Sequence, residues 1–284
     1  MMMNKIGIDI GGTNIRVGVV SGCGKILSLE RCSSTEGIKT VNDLLNRIIE
    51  MTERLPNIKQ CISIGVGVPG MIVNNKILHC RNLMHLNNFN LKERLEKYFK
   101  MPVQLENDAK VAALGEALVG AGKGESIVAY VGLGTGLGGG VVIDKNIYLG
   151  ASNLGGYFSR IILDGEQEAE HLVTGTALHK STIATFGSDM RVRELFALAK
   201  TDKKASVIIE KFKKDLCNLL INISVTINPS VIVLGGGVME SSHFFLDDIQ
   251  KTFKAMQKEN YKDTKIVKST LEFPGVVGAA MLVK

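Results

Sequence analysis

Two stretches of this chain repeat one design. The apolar runs Ile6-Gly7-Ile8-Asp9-Ile10 and Ile15-Arg16-Val17-Gly18-Val19-Val20 flank the turn Gly11-Gly12-Thr13-Asn14. Further on, the strand-like runs 126–131 and 141–143 flank Gly132-Leu133-Gly134-Thr135-Gly136-Leu137-Gly138-Gly139-Gly140. Strand-length apolar runs around a glycine-rich turn predict a β-hairpin. Helical periodicity separates and follows the hairpins, over 41–55, 90–99, 109–119 and much of 192–227, with a closing helix over 275–283. Buried-strand runs stand at 61–68, 103–105 and 231–234. Strands alternating with helices indicate an α/β architecture, and two halves that each open on a Gly-Thr hairpin suggest an internal duplication. The break near Gly120-Ala121-Gly122 divides the chain into an N-terminal α/β domain, 1–120, and a C-terminal one, 121–284, whose last helix can pack back on the first.

Composition narrows the partners. The 284 residues are 45% hydrophobic and 22% charged, ordinary for a globular protein. A net charge of +6 permits a polyanion such as ATP or nucleic acid without choosing between them. The densest basic runs, Lys203-Lys204 and Lys211 to Lys214, fall in helical stretches and read as solvated faces, so no nucleic-acid partner is expected. No signal segment or long uncharged apolar run is present, which predicts a cytoplasmic protein with no membrane partner. The five cysteines show no C-x-x-C spacing and read as reduced thiols, not zinc ligands.

Four motifs carry chemistry, each beside a plainer reading. In Asp9-Ile10-Gly11-Gly12-Thr13-Asn14, the glycines let backbone N–H groups approach a phosphate, Thr13 adds a hydroxyl, and Asp9 can hold Mg²⁺ directly or through water. The plain alternative is a hairpin turn. Gly134-Thr135-Gly136 offers a second phosphate cradle; it lacks the Gly-Lys-Ser/Thr of a Walker loop, and a strand rather than a helix follows it. In Glu106-Asn107-Asp108-Ala109 a strand passes into a helix. There Asp108 can take a proton from a substrate hydroxyl attacking a γ-phosphorus, or it can simply cap the helix. Finally, the strand 231–234 delivers Gly235-Gly236-Gly237 to a helix start, either to admit a base or ribose or as a tight turn.

In this order, Asp-x-Gly-Gly-Thr, Glu-Asn-Asp-Ala, the glycine-rich hairpin and Leu-Gly-Gly-Gly resemble the ROK sugar kinases from Ile6 to Gly275-Val276-Val277-Gly278-Ala279-Ala280. The resemblance implies the actin/hexokinase-like fold: two ribonuclease-H-like α/β domains with an interdomain cleft. It implies Asp108 as catalytic base, and Asn107 and Glu170 as sugar ligands with Gly70 and Asn82 on the sugar side. Asp9, Gly11, Gly12, Thr13, Asn14, Gly134, Thr135 and Gly136 correspond to the phosphate motifs, and Gly235 and Gly236 to the adenosine motif. MgATP as cosubstrate and a homodimer are implied too.

The chain also departs from that pattern. Members usually carry Gly-Glu-x-Gly-His after the second hairpin; here Asn153-Leu154-Gly155-Gly156-Tyr157 puts Leu154 at the Glu and Tyr157 at the His. The family's cysteine block is missing as well, so no structural zinc is expected. A carboxylate–hydroxyl bond is worth roughly 1.5–3 kcal/mol, whereas Leu offers only an apolar wall. The resemblance implies an acceptor among hexoses or amino sugars, with D-allose, N-acetylmannosamine and glucose-type sugars open. Leu154 is expected to mean an acceptor without a hydroxyl there, weak binding, or a sugar other than a standard glucose-type hexose. A degenerate sugar or nucleotide sensor is the alternative, although a sensor has no use for the retained Asp108. The family's repressors are set aside, because the five residues before Ile6 cannot hold a DNA-binding module.

Overall fold

The computed structural model describes residues 3–73, 76–80, 83–257 and 264–283. It opens with β1 (Asn4–Ile10) and β2 (Asn14–Val20), antiparallel from Lys5 opposite Val20 to Ile10 opposite Ile15. Gly11 N donates to Asn14 O at 2.8 Å and closes the turn. β3 (Ile26–Ser33) pairs along the far side of β2. The helix α1 (Val41–Arg54) starts at a capping box in which Thr40 and Asp43 serve each other's backbone N–H, and it buries Leu44, Leu45, Ile48 and Met51. β4 (Cys61–Val68) then runs parallel to β1, and β5 (Met71–Val73) forms a small hairpin with β6 (Lys76–His79). Asn90 caps α2 (Leu91–Phe99). β7 (Val103–Asn107) pairs parallel to β4 and passes directly into α3 (Asp108–Val119). The resulting sheet has the order β3-β2-β1-β4-β7.

The pattern then restarts with β8 (Ile127–Leu133), β9 (Leu137–Ile143) and β10 (Asn146–Ile147). A small hairpin, β11 (Ile162–Asp164) with β12 (Gln167–Glu168), leads to α4 (Gly175–Phe186), α5 (Val192–Leu198) and the long α6 (Lys203–Ile227). β13 (Val231–Gly235), α7 (Leu246–Met256), β14 (Lys265–Lys268) and α8 (Pro274–Leu282) complete the chain. The second sheet has the order β10-β9-β8-β13-β14, with β13 parallel to β8 and β14. The two sheets repeat one plan, as the two hairpins predicted.

One correction concerns the segment after Gly237. In place of the expected α-helix start, Gly237–Phe244 is 3-10 helix, and regular helix resumes only at Leu246. Gly237, Ser241 and Ser242 are weak helix formers, and serines compete for backbone partners.

The chain divides into two compact units: Met1–Gly124 with Gly140–Gly156 and Thr270–Lys284, and Glu125–Gly139 with Tyr157–Ser269. In the first, Ile6, Ile8, Ile10, Ile15, Val17 and Val19 pack with Ile48, Ile64, Val66 and Val68 in a core closed to solvent. In the same unit α8 lies backbone to backbone on its neighbours. A Cβ at Gly65 would fall 1.7 Å from Ala279 O, and one at Gly278 1.6 Å from Val111 O. Only glycine permits that approach.

Candidate active site

The candidate residues of the first unit gather where its parallel strands end. Asp9 on β1 stands opposite Gly67 on β4, Gly67 stands opposite Glu106 on β7, and Val68 pairs with Asn107. Register alone therefore brings Asp9 and the Glu106-Asn107-Asp108 junction to one edge. In α/β sheets this carboxyl edge is where ligands bind. Gly67 keeps the row close: a Cβ there would meet Val111 Cγ2 at 2.6 Å and the Asp108 Cα at 3.4 Å.

Asn107, not Asp108, is the helix cap. Its Oδ1 accepts from Ala109 N at 3.0 Å and Lys110 N at 3.2 Å, and its Nδ2 donates to Gly70 O at 3.0 Å. Asp108 is thus freed from the capping role that the sequence left open. It is the first residue of α3, half-buried, with Oδ1 accepting from Ala109 N at 2.9 Å. Removal from water pushes its carboxyl up to about 6, and the nearby charge of Asp9 adds to the shift. Burial also raises Asp9, while Arg16, whose Nη1 is 3.1 Å from Asp9 Oδ2, pulls the other way. Gly275, in the first turn of α8, comes so close that a Cβ there would sit 2.6 Å from the Asp9 Cγ.

Gly11 and Gly12 are half-buried and Thr13 is exposed at the hairpin tip, with Thr13 O accepting from Ser34 N at 3.0 Å. Asn14 begins β2 opposite Ser33. Gly70 enters the site through its carbonyl, held by Asn107. Asn82 lies outside the described residues.

The second unit builds its own cluster. Gly134 N donates to Gly136 O at 3.0 Å, and Gly175 N donates to Gly134 O at 2.8 Å, tying the start of α4 to the turn. Thr174 caps α4 through Ala177 N and donates its hydroxyl to Glu170 O at 2.9 Å. Glu170 is brought to this turn: its Oε1 is 3.2 Å from where a Gly136 Cβ would be. Thr135 is exposed at the tip. At the end of β13, Gly235 lies against the ring of Tyr130, whose hydroxyl would be 2.3 Å from an added Cβ, and at Gly236 a Cβ would meet Leu133 O at 2.5 Å. Gly235 is buried and Gly236 exposed, and close packing on Tyr130 and Leu133 requires glycine at both.

Leu154 and Tyr157 are exposed, at 44% and 47%. Among the described residues no group of three or more His, Cys, Asp or Glu side chains is placed to hold a metal, and no helix is long and apolar enough to cross a membrane.

Sequence reasoning missed four neighbours of the candidate residues: Arg16 and Gly275 beside Asp9, and Lys110 and Asn153 beside the Glu106-Asn107-Asp108 junction. Lys110 Nζ donates to Asn153 O at 2.6 Å and stands 3.8 Å from Glu106 Oε1.

Comparison with known proteins bears on the family and the fold. The family model described as ROK family matches residues 5–284. A glucokinase of Halalkalibacterium halodurans is 28% identical over 314 residues, covering 98% of this chain and 94% of the relative. An N-acetylmannosamine kinase of Vibrio cholerae is 30% identical over 249 residues, covering 83% and 84%. The crystal structure of a ROK family glucokinase from Streptomyces griseus with glucose and AMPPNP superposes with a TM-score of 0.83 at 27% identity, covering 98% of each chain. The architecture is therefore that of the actin/hexokinase-like kinases, as the sequence led one to expect.

Proposed function

The chain belongs to the ROK family, and we propose that it transfers the γ-phosphoryl group of MgATP to a hydroxyl of a hexose or amino sugar. The observation that carries this reading is Asp108: a carboxylate at the carboxyl edge of the sheet, relieved of capping by Asn107 and pushed up to about 6. A base with a pKa just below neutrality is ionised at pH 7 yet basic enough to draw a proton from an alcohol in the transition state. The sugar hydroxyl gives its proton to Asp108 as its oxygen forms a bond to the γ-phosphorus. The bond from that phosphorus to the bridging oxygen breaks, and ADP leaves with the electron pair.

The remaining roles belong to the same reading. One amide hydrogen of Asn107 serves Gly70; the other is the donor proposed for a sugar hydroxyl. Gly70, Asn82 and Glu170 are assigned to the sugar as well. Glu170 stands beside Gly136, so it is suited to orient an acceptor next to the phosphate turn. The turns Gly11-Gly12-Thr13-Asn14 and Gly134-Thr135-Gly136 are assigned to the phosphates through backbone N–H groups, and Gly235 and Gly236 to the adenosine. Asp9 is proposed to meet the Mg²⁺ of MgATP directly or through water. Arg16 engages Oδ2, and one hard oxygen suits an ion that arrives with phosphate ligands and keeps its waters. Positioning and neutralisation of charge then supply most of the rate.

The relatives named above act on glucose and N-acetylmannosamine, which supports a sugar acceptor of that size. Leu154 offers such an acceptor an apolar contact where a carboxylate would take hydroxyls. A cytoplasmic homodimer belongs to the same proposal. The test is Asp108→Asn. Sugar-dependent turnover is expected to fall by roughly 10²–10⁴ or more, with AMPPNP affinity by calorimetry within about threefold of the parent. Parent-like turnover in that variant would remove Asp108 from its role.

A further inference from the structure

Lys110 is almost fully buried, its side chain 4% exposed, beside Glu106 at 9%. Lysine is rarely hidden so completely, and burial lowers its affinity for a proton while Glu106 opposes that shift. Its acceptors say what the burial achieves. Nζ donates to the Asn153 carbonyl at 2.6 Å and lies 3.4 Å from Asn153 Oδ1. Asn153 holds a left-handed backbone, φ 61°, and its Nδ2 donates to Ile72 O on β5. Glu106 Oε1 accepts from Asn107 N at 2.8 Å. The buried ammonium therefore ties the turn that carries Leu154 to the first turn of α3, and Asn153 separately ties that turn to the hairpin that begins just after Gly70. Asn107 and Asp108 stand inside this frame, with Asn107 held to Gly70 O.

We propose that Lys110 is a positioning residue for the phosphoryl acceptor, locking the Asn153-Leu154 turn to the start of α3 so that Leu154, Asn107 and Gly70 meet the acceptor in one fixed arrangement. This rests on the kinase reading above. A surface lysine at the same helix position would leave the 149–156 turn tethered by its own backbone bond, Gly155 N to Leu149 O at 2.8 Å, and by Asn153 to Ile72. The buried ammonium adds the link to α3. An ion pair used only for stability is replaceable by apolar groups of similar shape; a positioning lysine is not.

The test uses the full chain with Lys110→Met, Lys110→Arg and the double variant Glu106→Gln/Lys110→Met, which removes both charges together and protects against simple failure to fold. Hydrogen exchange at Gly155 N reads the lock without reference to activity. It is expected to speed up by about tenfold or more in both Met variants, with the α3 amides unchanged. Steady-state kinetics with ATP and each of glucose, allose and N-acetylmannosamine read the consequence. In the double variant the KM for the preferred sugar is expected to rise roughly tenfold, with the KM for ATP within about twofold of the parent. Lys110→Arg is expected to fall between them. Unchanged exchange at Gly155, or a double variant whose sugar KM matches the parent, overturns the proposal and reduces Lys110 to the counter-charge of Glu106. If the parent transfers phosphate to no sugar, the kinase reading falls and the acceptor role with it; the exchange arm still decides whether the lock exists.

Discussion

Asn107 caps the helix that Asp108 opens. The cap accepts from Ala109 N and Lys110 N and donates to Gly70 O, so one amide side chain fixes the start of α3 and the loop after β4 together. Removing it should therefore be felt twice. Asn107→Ala is expected to lose about 1–2 kcal/mol of stability in urea unfolding, since a helix cap alone is worth about 1. Asn107→Asp keeps an oxygen for the cap and loses the donor to Gly70. It should retain most of the stability and still weaken acceptor binding; equal unfolding midpoints for the Ala and Asp variants would contradict the capping role.

The raised carboxyl of Asp108 has opposite consequences for rate and for stability. In the proposed role of base it must be ionised, so kcat/KM should fall as pH drops through about 6. Its folded pKa lies above the ordinary aspartate value, so between pH 4 and 6 the folded chain binds the extra proton. Stability from this group is therefore lost as pH rises through that window, and the penalty is fully present above it. Asp108→Asn is expected to raise the melting temperature at pH 8 and to converge with the parent near pH 4. A variant that melts lower than the parent at pH 8 would show that the carboxylate is not strained there.

Glu116 is a structural carboxylate rather than a catalytic one. It is fully buried on α3, with Oε2 accepting from Ala121 N at 2.7 Å and Oε1 from Leu271 N at 3.2 Å. Glu116→Ala would remove the carboxylate acceptor of those two part-buried N–H groups and should cost roughly 2–4 kcal/mol, with Glu116→Gln costing clearly less. Urea unfolding followed by fluorescence or circular dichroism gives both values.

Gly65→Ala places a methyl 1.7 Å from the Ala279 carbonyl, in backbone that cannot step aside while α8 stays on β4. Loss of cooperative melting, or a cost above about 3 kcal/mol, is expected. Gly237→Ala meets nothing within 4 Å and serves as the control that should melt like the parent.

Much of this was legible in the sequence because glycine turns and buried strands write themselves plainly. The strand over 61–68, the first hairpin and the passage from β7 into α3 stand where the residues put them, whereas in the second hairpin the strands run on into the glycine-rich stretch and leave only 134–136 as the turn. β3 escaped notice because it is an edge strand with no fully buried residue, so Glu30 and Arg31 interrupt the apolar pattern without penalty. β14 is a four-residue strand with a lysine at each end. Lys110 and Glu116 read as ordinary helix surface residues. Their burial comes from Asn153 and from the segment leading into α8, partners some 43 and 155 residues away that no local pattern reveals. The carboxylate pairing of Arg16 was hidden for a different reason: it depends on strand register, in which Asp9 sits directly opposite Arg16.

Phosphoryl transfer to a sugar is read out by ADP release from MgATP over glucose, allose, mannose, fructose, N-acetylglucosamine and N-acetylmannosamine, with and without EDTA. Release is expected to depend on one or a few of these sugars, to vanish with EDTA and to be lost in Asp108→Asn. Nucleotide binding with no sugar-dependent release across the whole panel would contradict it and favour a nucleotide or sugar sensor on the same fold.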